Sequence, residues 1–416
     1  MGWYSLIFFR KIYFTGLEKL PWDQPFIMAG NHPTAFTEPS ILCGFSTHGK
    51  NCLLRGDMFK EGKWTESMLK RLKCIPIYRF RDGFANIKKN QEIMDYCYDL
   101  LGKGENLVIL AEGVSKVEKR MRPIQKGTAR MAFGAYEKNK RKDIAVVPIG
   151  FNYTDPNKFR GSIYAHFGTP IPITDFLDAH AENPRKAIKQ MTDRISKEMR
   201  KSIIHIEDEK DDVLGHQLLE MVENSIKEKS FPVYSCKPSR LPEFIQFIEK
   251  FNVLSDSNKE QLEMATSHYK EQLAQHNISD QGLAQSTYFN VWSTLALLIG
   301  LPAFLFGIIA NFLPIKIGKY YAEKTANTLE FNASLRLAFE MGAYFFYFLT
   351  LLIITGIWGP KYTFITVLLL PFFGYFSMLW RDAFFVWNEG RKVRSVDKKI
   401  KEKLYSYRKK ILALEA

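Results

Sequence analysis

Between residues 25 and about 170, short apolar runs alternate with segments whose apolar positions recur at helical spacing. The runs are "PFIMAG", "NCLLR", "CIPIY", "NLVILA", "IAVVPIG" and "SIYAHFG". Unbroken apolar runs of this length read as strands buried on both faces, and the helical-period segments 86–101 and 127–138 as the helices that cover them. The pattern predicts an α/β layer fold over residues 1–175. Residues 176–283 are polar, rich in Lys and Glu and helical in period, and read as surface helices.

The pattern then changes abruptly. Within 284–385 lie three long apolar stretches, about 289–313, 341–358 and 362–380, of a length that suits crossing a bilayer. Trp358, Tyr362 and Trp380 stand at their ends, where amphipathic rings favour the headgroup level. "GLP" at Gly300–Pro302 interrupts the first stretch, which is therefore expected to be re-entrant or interfacial, while the second and third form a spanning hairpin. The basic tail 386–416 is expected to stay cytoplasmic. At the other end, "MGWYSLIFFRKIYF" combines aromatic and basic residues in a way that suits a helix lying in the lipid interface, or else a core helix.

Composition narrows the partners. A chain of 416 residues holds two or three domains. Its 58 basic against 44 acidic residues give a net charge of +14, which suits an anionic surface or a phosphorylated ligand. The charge is spread along the chain without a recognisable nucleic-acid motif, so no nucleic-acid partner is expected. Cys43, Cys52, Cys74, Cys97 and Cys236 form no C-x-x-C pair and read as reduced thiols, with no metal site. Nothing in the pattern fixes an oligomeric state.

The candidate chemistry starts at "NHPTAFTEPS". The imidazole of His32 can accept a hydroxyl proton near neutral pH, and does so best with a carboxylate on its other ring nitrogen. Glu38 is such a carboxylate if the turn folds back, with Asn31 and Thr34 to hold it and Pro33 to stiffen it. Farther on, "IPIYRFRDG" ends a strand with Arg79 and Arg81, side chains suited to gripping a phosphate through paired hydrogen bonds. "LVILAEGVSK" runs a strand into Glu112, Gly113 and Ser115, where the glycine lets backbone N–H groups approach an anion. "IQKGTARMAFGA" sets Lys126 at a helix start, and "IAVVPIGFNY" carries an apolar strand through Pro148.

Taken in order, these blocks resemble the glycerophospholipid acyltransferase family, whose blocks read N-H-x-S-x-x-D, a strand followed by Arg, F-P-E-G-T-R-S and V-P-[IV]. The resemblance covers residues 1 to about 175. It departs in two places: the acid is Glu38, one position later than the family's Asp, and Val114-Ser115 replaces Thr-Arg in the third block. Both departures look like a sub-branch that includes fungal glycerol-3-phosphate/dihydroxyacetone-phosphate acyltransferases. The resemblance implies a mixed sheet flanked by helices, and acyl transfer from acyl-CoA or acyl-carrier protein to a glycerol-phosphate-type hydroxyl, with no further cofactor. His32 and Glu38 would be catalytic; Arg79, Arg81, Glu112, Gly113, Ser115 and Lys126 would bind substrate. It also implies membrane lipids as partners and a cell-membrane location with the catalytic domain on the cytoplasmic face. Lysophospholipid remodelling, or a non-catalytic lipid-binding role on the same scaffold, are the alternatives.

Overall fold

The computed structural model describes residues 7–45, 50–60, 62–78, 84–226, 233–285, 289–326 and 328–415. Residues Met1–His205, Val233–Ile245 and Leu329–Phe331 form one compact unit; Ile206–Pro232, Gln246–Thr328 and Asn332–Ala416 form a second.

The first unit is built on a mixed sheet of β1 (Lys11–Thr15), β2 (Phe26–Gly30), β3 (Lys50–Arg55), β4 (Cys74–Ile77), β5 (Asn106–Leu110), β6 (Ala145–Tyr153), β7 (Ser162–Phe167), β8 (Ile171–Pro172) and β9 (Tyr234–Ser235). The order is β4-β3-β5-β2-β6-β7-β1-β9, with β8 beside β6. Pairings from β4 to β6 are parallel and β6–β7 is antiparallel. All six apolar runs are strands. The flanking helices are α1 (Thr37–Phe45), α2 (Lys63–Arg71), α3 (Phe84–Gly102), α4 (Gly127–Asn139), α5 (Leu177–Glu182) and α6 (Pro184–Arg200). Ile27, Ala29, Leu107 and Val146 pack with Cys97 and Leu101 of α3, Met131 and Phe133 of α4, and Met191 and Ile195 of α6. The alternate residues Phe26, Met28, Val108 and Val147 are just as buried, so both faces of the central strands are covered.

The interfacial helix expected near the start is a strand at its distal end. Lys11–Thr15 pairs in parallel with β7, Ile12 beside Ile163 and Phe14 beside Ala165, with both Ile12 and Phe14 fully buried. Aromatic and β-branched residues that suit a lipid surface suit a pleated sheet equally well. The partner strand lies some 150 residues downstream, out of reach of local pattern.

The second unit is helical: α7 (Asp212–Asn224), most of α8 (Leu241–Asn252), α9 (Asp256–Gln275), α10 (Asp280–Ala284), α11 (Val291–Thr325), nearly all of α12 (Leu329–Trp358), α13 (Pro360–Ser395) and α14 (Lys398–Leu412). The helices α11, α12 and α13 are long and apolar enough to cross a membrane. The expected break at Gly300–Pro302 is absent, and α11 runs through it as one helix. Gly300 is a packing glycine: a Cβ there would come within 2.9 Å of the Trp380 ring, and one at Gly307 within 2.1 Å of the Phe373 carbonyl oxygen. Small residues of this kind let apolar helices approach closely, and proline is tolerated where neighbours satisfy the backbone. Along this seam α11 runs antiparallel to α13. Trp387 Nε1 donates to Thr294 Oγ1 at 2.9 Å, Trp380 Nε1 to the Leu297 carbonyl at 3.0 Å, and Ser377 Oγ to the Phe304 carbonyl at 3.0 Å. A single residue, Gly359 at φ +126°, joins α12 to α13, a backbone conformation that favours glycine.

At the end of the chain, α14 is clasped to α7 and α10. Arg408 donates through Nε to Asp280 Oδ1 at 2.8 Å, and through Nη2 to Asp280 Oδ2 at 3.2 Å, the Met221 carbonyl at 2.6 Å and Ser225 Oγ at 2.9 Å. Tyr269 of α9 and Asn224 of α7 donate to the same carboxylate at 2.7 and 3.0 Å. Tyr405 OH donates to the Leu283 carbonyl at 2.8 Å.

Candidate active site

The carboxyl ends of β5, β2 and β6 lie side by side. In a parallel sheet, loops leaving this edge are the usual place for a ligand site. Gly30 is level with Leu110 and Ile149, so the residues just beyond β2 meet those beyond β5 and the last turn of pleat in β6. Asn31 ties the β2 end to β6: it donates to the Phe151 carbonyl at 3.0 Å and accepts from the Phe151 N–H at 2.7 Å. Gly30 is needed beneath it, because a Cβ there would sit 2.9 Å from the Phe151 ring.

His32 follows, with its side chain 13% exposed, and its Nδ1 faces Glu38 Oε2 at 3.4 Å. Glu38 lies in the first turn of α1, where a carboxylate is favoured by the helix dipole, and it is wholly buried. Its other oxygen, Oε1, accepts from the Thr34 N–H at 3.0 Å, the Thr34 hydroxyl at 2.8 Å and the Tyr153 hydroxyl at 2.9 Å. The Thr34 hydroxyl also accepts from the Thr37 N–H at 3.3 Å, closing the turn that brings Glu38 back to the ring. At 3.4 Å the His32–Glu38 approach is longer than a formed hydrogen bond, and neither atom meets another hydrogen-bond partner among the described residues. Such bonds often tighten only when substrate binds. Oriented this way, the ring directs Nδ1–H at Glu38 and leaves Nε2 as proton acceptor.

Glu112 serves the same turn from β5. Its Oε2 accepts the His32 N–H and its Oε1 the Arg122 N–H, each at 2.9 Å. Burial pushes its carboxyl above the usual range, and the Arg122 and His32 N–H groups pull it part of the way back. The Lys116 N–H adds a bond to the His32 carbonyl at 3.2 Å. Both carboxylate oxygens of Glu112 thus hold backbone. Glu112→Gln would set an amide NH2 against a backbone N–H. We expect it to lower unfolding free energy by roughly 1–3 kcal/mol in denaturant titration, whereas a Glu112 pointing only at ligand would leave stability unchanged.

The other sequence-derived residues fall as follows. Gly113 has φ +74° in the turn after Glu112, with Ser115 half-buried two residues on. Lys126 is exposed at the N-cap of α4, next to Gln125, whose N–H donates to the Ala111 carbonyl at 2.7 Å. Strand β4 ends at Ile77; Arg79 and Arg81 lie outside the described residues. The start of α12, Leu329–Phe331, also belongs to this unit. The Ala35 N–H donates to the Glu330 carbonyl at 3.1 Å, Phe36 and Phe331 meet edge to face at 5.8 Å, and Arg55 lies 6.0 Å over the Phe331 ring. Among these neighbours Tyr153 escaped the sequence reading. Its signal is a tyrosine at the end of a largely apolar strand, whose buried hydroxyl must find a partner.

A family model described as Acyltransferase matches residues 11–152. Glycerol-3-phosphate O-acyltransferase 1 of Saccharomyces cerevisiae is 36% identical over 103 residues, 24% of this chain and 14% of that protein. Glycerol-3-phosphate O-acyltransferase 2 of the same yeast is 29% identical over 120 residues, 29% of this chain and 16% of that protein. The similarity therefore spans about one-seventh of the length of these relatives. The crystal structure of a 1-acyl-sn-glycerophosphate (LPA) acyltransferase from Thermotoga maritima aligns with a TM-score of 0.33 at 17% identity, over 47% of this chain and 75% of that one.

Proposed function

We propose, from the premise that residues 11–152 belong to the acyltransferase family, that this chain moves a fatty acyl group from a thioester to a glycerol-phosphate hydroxyl. The observation that carries the reading is the His32–Glu38 pair at the carboxyl edge of the sheet, with Glu38 Oε1 saturated and Oε2 left facing the ring.

In this reaction His32 Nε2 takes the proton of the acceptor hydroxyl as its oxygen attacks the thioester carbonyl. The C–O bond forms, the C–S bond breaks, and the imidazolium returns the proton to the departing thiolate. Buried Glu38 compensates the positive charge that builds on the ring between these steps and fixes its tautomer. Glu112 acts through backbone, keeping His32 at its station. Direct attack needs no acyl-enzyme.

The yeast relatives' names support glycerol 3-phosphate as the acceptor, with lysophosphatidate as the nearest rival. Acyl-CoA or acyl-carrier protein is the donor. Arg79 and Arg81, which follow β4 in the sequence, are assigned to the acceptor phosphate, and Ser115 and Lys126 are assigned to substrate binding as well. The apolar helices hold the enzyme in the membrane, and the basic residues of 386–416 favour the cytoplasmic face. That location suits a product that must enter the bilayer.

The test is purified full-length protein with radiolabelled acyl-CoA and a panel of glycerol 3-phosphate, lysophosphatidate and lysophosphatidylcholine, reading thiol release and product mass. Thiol release that depends on glycerol 3-phosphate, yielding its monoacyl ester, is expected. Turnover only with lysophosphatidate would reassign the acceptor. Lipid binding with no thiol release from acyl-CoA or acyl-carrier protein would leave a binding scaffold instead.

A further inference from the structure

We infer that Tyr153 is a positioning residue for the proton-accepting pair: its hydroxyl holds one oxygen of Glu38 so that the other stays aimed at His32. The inference rests on the reading of His32 and Glu38 given above and assigns the pair a third member, from a different strand.

Geometry makes the assignment. Glu38 reaches His32 from a helix start, with one more rotatable bond than an aspartate would have, and so with more orientations to lose. Two anchors remove that freedom. Thr34 acts from within the turn, through both N–H and hydroxyl. Tyr153 acts from β6, 115 residues away in sequence and 5% exposed, so its ring moves only with the sheet. The Tyr153 backbone is braced in turn, since Lys119 Nζ donates to its carbonyl at 2.6 Å. All three donors converge on Oε1, which leaves Oε2 for the ring.

Such an anchor does more than aim. A hydroxyl donating to a carboxylate stabilises negative charge, and most strongly when that charge is uncompensated. The uncompensated state here is neutral His32 beside ionised Glu38, the form that accepts the substrate proton. Removing the hydroxyl therefore takes more from the state with a neutral ring than from the state with a protonated one, and favours the latter. Among the described residues, the charged groups on the elements that hold the pair include Glu112 under the His32 backbone, Lys116 with its ammonium 2.8 Å from Glu118, Lys119 on the Tyr153 and Thr154 carbonyls, and Arg122, which pairs with Glu118. None of these is altered when Tyr153 loses only its oxygen. Burial, with Glu38 alongside, keeps the phenol itself neutral across the working range.

The experiment compares wild type, Tyr153→Phe and protein carrying 3-fluorotyrosine at position 153, each as the full chain in detergent. Proton uptake by the His32 ring is followed by nitrogen NMR, with the signal assigned by its loss in His32→Ala, and the acid limb of kcat/KM is followed in parallel. Tyr153→Phe is expected to move both midpoints to higher pH by about half to one unit, and to lower kcat about tenfold with acceptor KM unchanged. The fluorinated phenol is a stronger donor, nearly the same shape, and is expected to move them the other way. Midpoints unchanged in both variants, or displaced in the same direction by both, would overturn the assignment and leave Tyr153 as packing. The NMR arm reads the pair even without turnover, so a wild type that transfers no acyl group would count against the proposed activity while this inference is still decided.

Discussion

His32→Ala is expected to slow acyl transfer by about 10²–10⁴-fold, the range over which a positioned base commonly contributes. The effect should fall on kcat, with little change in acceptor KM, because the ring acts on the reacting hydroxyl and not on the phosphate. Fold should survive, since the anchors of the turn are the Asn31 side chain and the His32 backbone, neither of which the substitution removes. Glu38→Gln gives the companion result. The amide keeps the shape but loses the charge that balances an imidazolium, and it presents an NH2 where Thr34 and Tyr153 donate or where the ring Nδ1–H points. A similar loss of rate is the expectation, with a loss of stability of the kind argued for Glu112→Gln. Initial rates over a range of acceptor concentrations, with circular dichroism to check folding, decide it; a His32→Ala enzyme turning over at the wild-type rate would remove the ring from the mechanism.

The largest expected effect on stability lies elsewhere. Arg408→Ala removes the only cation among the described partners of Asp280 and strands a carboxylate whose side chain is 13% exposed. Truncating one member of a buried pair costs about 3–5 kcal/mol, because the partner charge stays in a poor solvent. The Met221 carbonyl and Ser225 hydroxyl lose a donor as well. Denaturant unfolding in detergent should show a loss of that size. A double variant, Arg408→Met with Asp280→Asn, should recover much of it, because no charge is then left behind. Equal unfolding midpoints for wild type and Arg408→Ala would mean the clasp does not hold in solution.

Legibility followed locality. Six strands announced themselves as apolar runs, and the central ones, buried on both faces, carry no alternation to misread. The first strand and the two-residue β9 did not, since each is a strand only by virtue of pairing with chain far away in sequence. The same division runs through the site. The turn from His32 to Glu38 was readable because both residues, and Thr34 that ties them, lie within seven positions. Tyr153 was hidden, for its partner is set by the register of β6 against β2. Glu112 was visible as a functional position, but which groups its two oxygens hold is fixed by the β2–β5 pairing. Gly300–Pro302 reads as a break in isolation and becomes a seat for Trp380 once α13 lies alongside.

The bond between Arg408 and Asp280 also bears on how this chain threads a bilayer. Asp280 stands just ahead of the apolar region and Arg408 just behind it. A polypeptide fastened in this way presents both flanks of its apolar region to the same compartment, so protease added to one face of sealed vesicles is expected to reach both flanks or neither.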